Sequence, residues 1–120
     1  VSSGVQQPIP NLGMSNALRA SLVGYAKTLA SEVAADGVTV NSVLPGRIAT
    51  DRLRQLDEGA ATRTGKPLEE VEAASKGAIP IQRYGRPQEF ADVVAFLASE
   101  RASYVTGSQI RIDGGLIAGH

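Results

Sequence analysis

The residues best placed for chemistry lie just beyond what read as two strand ends: Ser2-Ser3-Gly4 near the start, and Pro45-Gly46-Arg47-Ile48-Ala49-Thr50 after a β-branched stretch. In open α/β sheets, ligands bind beyond the carboxyl ends of the strands, so the two segments are candidates for one shared cleft. Taken alone, each is equally ordinary loop chemistry, and position in a fold is only analogy. A third segment, Gly114-Gly115, follows another apolar run, and Asp113 before it is placed to cap the turn. The remaining charged groups read as surface: Glu69, Glu70 and Glu72 as a solvated helix face, and Asp51 with Arg52 and Arg54 as a mixed-charge patch.

Composition removes several alternatives. With no Cys and a single His, at position 120, these residues offer no disulfide framework, thiol nucleophile, Cys/His zinc site or Ser-His-Asp triad with an internal His. Twelve Lys plus Arg balance twelve Asp plus Glu, with the arginines scattered along the chain, so no basic patch points to nucleic acid or an anionic membrane surface. No apolar run approaches the roughly 18 residues of a membrane span, and the start carries neither a basic region nor an apolar signal core. The expected location is cytoplasmic, and 42% hydrophobic with 20% charged residues in a chain of 120 sets one globular domain as the ceiling.

The elements that must hold these segments can be read from periodicity and punctuation. Pro8, Pro10, Asn11 and Gly13 mark residues 1–13 as a strand end and loop. A helix follows over 14–35, with Leu18, Leu22, Tyr25, Leu29 and Val33 as a core-facing stripe. Gly24 within it is either tolerated or admits a neighbouring backbone, and Asp36-Gly37 supplies a stop. Residues 38–44, rich in Val and Thr and bounded by Gly37 and Pro45-Gly46, form a strand. Residues 47–66 have poor periodicity and read as a mobile segment. Pro67 then opens a short helix that ends near Gly77, with Thr64 as its cap. Residues 79–86 are loop, Pro87-Gln88-Glu89 opens a helix that buries Phe90, Val93, Val94 and Leu97, and residues 109–113 are a second strand.

Alternating helices and strands imply an α/β fold with parallel pairing and right-handed crossovers. Two strands and a strand end cannot cover these helices, because open parallel sheets are buried on both faces and usually have about five or six strands. The expectation is therefore the C-terminal part of a larger, doubly wound parallel sheet. The other option is a core completed by a second chain.

The order of motifs resembles the C-terminal half of a short-chain dehydrogenase/reductase. It is carried by Val1-Ser2-Ser3-Gly4, by Ser15-Asn16-Ala17-Leu18-Arg19-Ala20 leading a helix, and by the run from Gly37-Val38-Thr39-Val40-Asn41 to Thr50. It continues through Ile79-Pro80-Ile81-Gln82-Arg83-Tyr84-Gly85-Arg86-Pro87 and Tyr104-Val105-Thr106-Gly107 to Asp113-Gly114-Gly115. Nearly all 120 residues are covered, and the branch containing 3-oxoacyl-carrier-protein reductases is the most similar.

The resemblance implies a Rossmann-type domain with NAD or NADP as cofactor, a small carbonyl or acyl substrate and a homo-oligomer, dimer or tetramer, in which the 14–35 helix packs against a neighbouring subunit. Residues 1–120 would be the C-terminal half of that domain and 51–78 its substrate lid. The glycine-rich dinucleotide loop belongs to the first half, and no Gly-x-x-x-Gly-x-Gly occurs in this sequence. Pro45 and Gly46 would shape the turn against the nicotinamide, the Ile48 backbone would meet the carboxamide, and Thr50 would lie near the carboxamide or phosphates. Ser3 matches the family serine that polarises the carbonyl. The departure is at the proton donor: Ser15 stands at the position of the family tyrosine and Arg19 at that of its lysine. A serine hydroxyl is a far weaker acid than a tyrosine, and Arg is not interchangeable with Lys, although Arg19 can still hold a ribose or phosphate.

Three readings follow: a cofactor-binding relative that has lost its usual acid; a reductase with a rearranged acid, either Ser15 with water or a tyrosine from a loop such as Tyr84 or Tyr104; or an assembly or regulatory subunit. Residues 1–120 expressed by themselves are expected to be aggregation-prone or molten, because parallel strand edges would stay unpaired. A cooperative melt with dispersed NMR peaks would contradict that expectation.

Overall fold

The strand after residue 37 is the spine of the molecule, and it pairs in parallel with the last strand. The computed structural model describes residues 13–119, apart from the side chain of Ser15, as helix α1 (Gly13–Val33), strand β1 (Ser42–Pro45), helices α2 (Asp51–Thr64), α3 (Leu68–Gly77) and α4 (Pro87–Leu97) and strand β2 (Gln109–Ile112). Ser42 pairs with Gln109, Val43 with Ile110, Leu44 with Arg111 and Pro45 with Ile112. Parallel strands need a long crossover, and here α2, α3 and α4 occupy it.

The first strand starts four residues later than its β-branched run predicts. Residues 38–41 are held to 105–108 by one backbone bond, from Gly107 N–H to the Val40 carbonyl (2.8 Å), and otherwise through side chains: Val40 N–H donates to Thr106 Oγ1 (3.0 Å), and Asn41 donates from Nδ2 to the Val105 carbonyl (2.9 Å) while its Oδ1 accepts from Ser108 N–H (3.2 Å). The facing segment turns at Gly107, where φ is 69°, so regular pairing begins only after it.

Helix α1 stops where expected: after a 3-10 turn over Ala34–Asp36, Gly37 takes a left-handed φ of 78° and returns its N–H to Ala34. Its buried side agrees with the expected stripe only toward the C-terminal end. Leu29 and Val33 are half-buried, as are Val23 and Ala26, and Ala30 is 2% exposed, whereas Leu18 is 65%, Leu22 53% and Tyr25 65% exposed. The small side chain of Ala30 allows the helix to approach Gly107 closely, and the larger side chains of the first half of the stripe are exposed. Gly24 meets nothing within 4 Å of where a Cβ would stand, so it is simply tolerated.

The 47–66 segment, expected from its poor periodicity to lack regular structure, contains a helix. Residues 51–64 are helix α2, because the ends carry the right chemistry: Thr50 Oγ1 accepts from Leu53 N–H (3.3 Å), Asp51 sits in the first turn, Arg63 in the last, and Gly65 closes it with φ of 70°. Apolar periodicity is weak because the one buried residue of the helix is Asp57. Thr64 caps nothing downstream; its hydroxyl donates back to the Ala60 carbonyl (2.7 Å), and Pro67 precedes α3.

Helix α2 packs on α3, whose end is tied down by Arg47 Nη1 donating to the Ser75 carbonyl (2.6 Å). On α4, Phe90, Val93 and Leu97 are half-buried as expected, but Val94 is exposed, as is Phe96. Leu44, Ile79 and Ala102 are the other fully enclosed apolar residues among those described. No described helix is long and apolar enough to cross a membrane.

Pro87 occupies the first turn of α4, and Glu89 accepts the Arg86 N–H (2.9 Å). Arg83 grips Glu89 with both terminal nitrogens (2.7 and 2.9 Å), and this hydrogen-bonded guanidinium holds the Glu89 carboxyl far below the usual carboxylate range. A carboxylate lowered by folding stabilises above its ordinary pKa of about 4.3 and loses that contribution as pH falls toward the lowered value. In the full-length protein, the urea midpoint of wild type is therefore expected to exceed that of Glu89→Gln by a constant margin above about pH 5 and to converge on it in more acid solution. A margin that stays flat from pH 7 to pH 3 would contradict this.

Candidate functional site

The site is generated where β1 runs out. Gly46 N–H still donates to the Ile112 carbonyl (3.0 Å), but a Cβ on residue 46 would stand 2.6 Å from Asp113 Cβ and 2.7 Å from its Cα. Only glycine permits that backbone contact. Asp113 turns its carboxylate to the following loop as expected, accepting from the N–H groups of Gly115 (2.9 Å) and Ile117 (3.1 Å).

Beyond Gly46 the chain leaves the sheet and pairs with the loop before α4. Gly85 N–H donates to the Arg47 carbonyl (2.9 Å), and Ala49 N–H donates to the Gly85 carbonyl (2.8 Å). In such a parallel bridge the intervening residue directs its own N–H and C=O to the opposite side. Ile48 is that residue, and its peptide groups have no partner among the described residues.

Pro45, Gly46, Ile48 and Thr50 line one cleft of about 370 Å³, together with Arg52, Leu53 and Leu56 of α2 and Pro87 and Phe90 of α4. Four of the residues expected from sequence to face a cofactor are thus brought together. The walls are apolar, and the polar groups at hand are the Ile48 amide, the Thr50 hydroxyl, the Arg52 guanidinium and the N-terminal end of α2. A flat ring bearing an amide fits that set: apolar faces above and below, and one donor and one acceptor on a single residue for the amide.

Of the expected acid–base residues, only the side chain of Arg19 lies among the described ones. Arg19 is exposed on α1 and does not line the cleft, Ser15 falls in the first turn of α1, and Ser3 lies outside the described residues. Tyr25 is exposed instead of packed, and Tyr104 is fully exposed. Tyr84 is engaged elsewhere: its hydroxyl donates to Asp57 Oδ2 (2.7 Å), with Lys76 Nζ 5.2 Å from its ring centroid. Burial pushes the Tyr84 hydroxyl above its ordinary value, a bond from Ser75 opposes this, and the Asp57 carboxylate reinforces it, so the proton stays on Tyr84. Asp57 did not stand out in the sequence, since a lone Asp in a polar helix carries no spacing signal, and Tyr84, a candidate acid from its loop position, is found bound to Asp57 and does not line the cleft.

Residues 1–117 match the family described as Enoyl-(Acyl carrier protein) reductase, and the chain belongs to this short-chain dehydrogenase/reductase family. It is 42% identical over 108 residues to the 3-oxoacyl-[acyl-carrier-protein] reductase FabG of Salmonella typhimurium, covering 88% of this chain and 40% of that protein. It is 37% identical over 110 residues to the NADPH-dependent reductase BacG of Bacillus subtilis, covering 92% and 42%. Among solved structures, YwfH, an NADPH-dependent reductase involved in bacilysin biosynthesis, superposes with a TM-score of 0.93 at 35% identity, over 100% of this chain and 46% of that one. The chain thus spans less than half the length of these relatives, and its fold is a portion of their Rossmann-type α/β fold with its parallel sheet.

The contact between Gly46 and Asp113 makes a direct prediction. Gly46→Ala drives a methyl group into backbone, which cannot yield as a flexible side chain can, and is expected to cost roughly 1–3 kcal/mol of stability in the full-length protein. A denaturation midpoint equal to wild type would contradict it.

Proposed function

We propose that these residues are the C-terminal half of a Rossmann-type domain that binds NADP(H) and reduces a 3-oxoacyl or similar carbonyl substrate. The observation that carries the reading is the outward-facing Ile48 amide at the end of β1, set in an apolar cleft beside Thr50 and the start of α2. Similarity to BacG and YwfH, named as NADPH-dependent reductases, and to a 3-oxoacyl-[acyl-carrier-protein] reductase supports the cofactor and the substrate class.

In this reading the Ile48 peptide would hold the carboxamide of a nicotinamide ring, and Pro45 and Gly46 would shape the turn against that ring. Thr50 and the first turn of α2 face the adjoining phosphates. Leu53, Leu56 and Phe90 exclude water and receive an apolar acyl chain. The bound cofactor supplies the hydride. Ser3 polarises the substrate carbonyl, Ser15 stands in the position of the proton donor, and Arg19 holds the ribose or a phosphate in place of a lysine. The pyrophosphate and adenosine would be held by a preceding half of the domain, and NADP is favoured over NAD by the relatives' names.

A second reading, a catalytically inactive member acting as an assembly or regulatory subunit, rests on a different observation. Met14, Leu18, Leu22 and Tyr25 form an exposed apolar stripe along α1, the kind of surface that a homo-oligomer covers.

Titration of the full-length protein with NADPH and NADH, followed by nicotinamide fluorescence, separates the two. Saturable binding, tighter for NADPH, is expected. Ser15→Tyr combined with Arg19→Lys is then expected to raise turnover of a 3-oxoacyl substrate by about a hundredfold, the lower end of what general acid catalysis contributes. No binding at millimolar cofactor would overturn the reductase reading in favour of the assembly one.

A further inference from the structure

Helix α2 carries Arg52, Leu53 and Leu56 into the cleft, yet its one buried residue is an acid, Asp57, which is 7% exposed. A carboxylate in that position must be satisfied, and the group that satisfies it comes from outside the helix: the Tyr84 hydroxyl, 2.7 Å from Oδ2. Tyr84 immediately precedes Gly85, whose N–H and C=O pair with Arg47 and Ala49 on either side of Ile48. The same node takes hold of α3, through Lys76 over the Tyr84 ring and through Arg47 on the Ser75 carbonyl. Leu53 lies one helical turn before Asp57, and Leu56 is its neighbour, so the height of Asp57 fixes the height of the apolar side chains over the cleft.

We propose that the Asp57–Tyr84 hydrogen bond is a latch that sets how α2 lies over the cleft, making Asp57 and Tyr84 positioning residues for the substrate, an inference that rests on the reductase reading given above. Neither side chain lines the cleft; both act through Leu53, Leu56 and the Ile48 peptide. The bond ties the helix that covers the substrate to the loop that holds the cofactor end, so the two walls of the cleft move together.

The test is hydrogen–deuterium exchange of the full-length protein carrying Tyr84→Phe, Asp57→Leu or Asp57→Asn. Tyr84→Phe removes one oxygen and keeps the ring under Lys76, so it preserves the fold. Tyr84→Phe and Asp57→Leu are expected to speed exchange across residues 51–64 about tenfold, the scale of one net hydrogen bond, while 87–97 and 109–112 stay near wild type. Asp57→Asn is expected to remain near wild type, because its amide oxygen still accepts the tyrosine hydroxyl. With a 3-oxoacyl substrate, Tyr84→Phe is expected to raise KM several-fold with kcat and NADPH affinity nearly unchanged. Unchanged exchange in 51–64, an equal rise in every element, or Asp57→Asn behaving like Asp57→Leu would each overturn the latch. Absence of any reductase activity would overturn the reductase reading instead, and the exchange pattern would still decide whether α2 is latched.

Discussion

The approach of Gly46 to Asp113 is the constraint on which the cleft depends. Parallel strands diverge after their last shared hydrogen bond, and here they do so with two backbones in contact, leaving no room for a side chain at residue 46. From that point β1 is steered toward Gly85 and β2 toward the Gly114-Gly115 turn, whose glycines have φ of 63° and 89°. The bridge at Gly85 orients the Ile48 peptide outward, and Thr50 starts α2 two residues later. Cleft geometry thus follows from a single steric requirement, propagated through a short stretch of backbone.

The packing around that point is economical. Leu44 at the centre of β1 and Ile79 in the loop above are fully enclosed, and Ala30 and Ala102 fill the remaining close contacts. Larger apolar side chains on α1 and α4 stay exposed, which is what a two-stranded sheet must leave when helices of this length flank it. The proposal that further strands and a neighbouring subunit cover these faces follows from the layer rule as much as from family resemblance.

Several charged side chains hold elements in place. Glu89 is held by Arg83 and Arg86, Arg111 donates to the carbonyls of Ile117 and Gly119, Arg47 caps the end of α3, and Asp57 is satisfied by Tyr84. What faces the cleft is a peptide group, a hydroxyl and one guanidinium against apolar walls. Such a set of groups can orient a ligand and exclude water, and no carboxylate, tyrosine or lysine stands among the described residues that line the cleft.

Much of the architecture was legible in the residues. The β-branched run ending in Pro45-Gly46, Pro87 with Glu89 at the head of α4, and Gly37 after α1 are local signals, and the parallel pairing follows from alternating helices and strands. The gathering of Pro45, Gly46, Ile48 and Thr50 was legible too, since they follow one another along the chain. Helix α2 was not, because apolar periodicity is blind to a helix whose buried position is Asp57. The stripe on α1 was legible only in part: Leu29 and Val33 are half-buried with Ala26 and Ala30, but Leu18, Leu22 and Tyr25 are exposed, because periodicity locates large apolar side chains and not what lies opposite them. Local sequence thus determined where elements begin, end and change direction, since caps, prolines and glycines act within a few residues. Tertiary structure alone decided which face is covered and that Asp57 meets Tyr84, because both depend on contacts between segments distant in the chain.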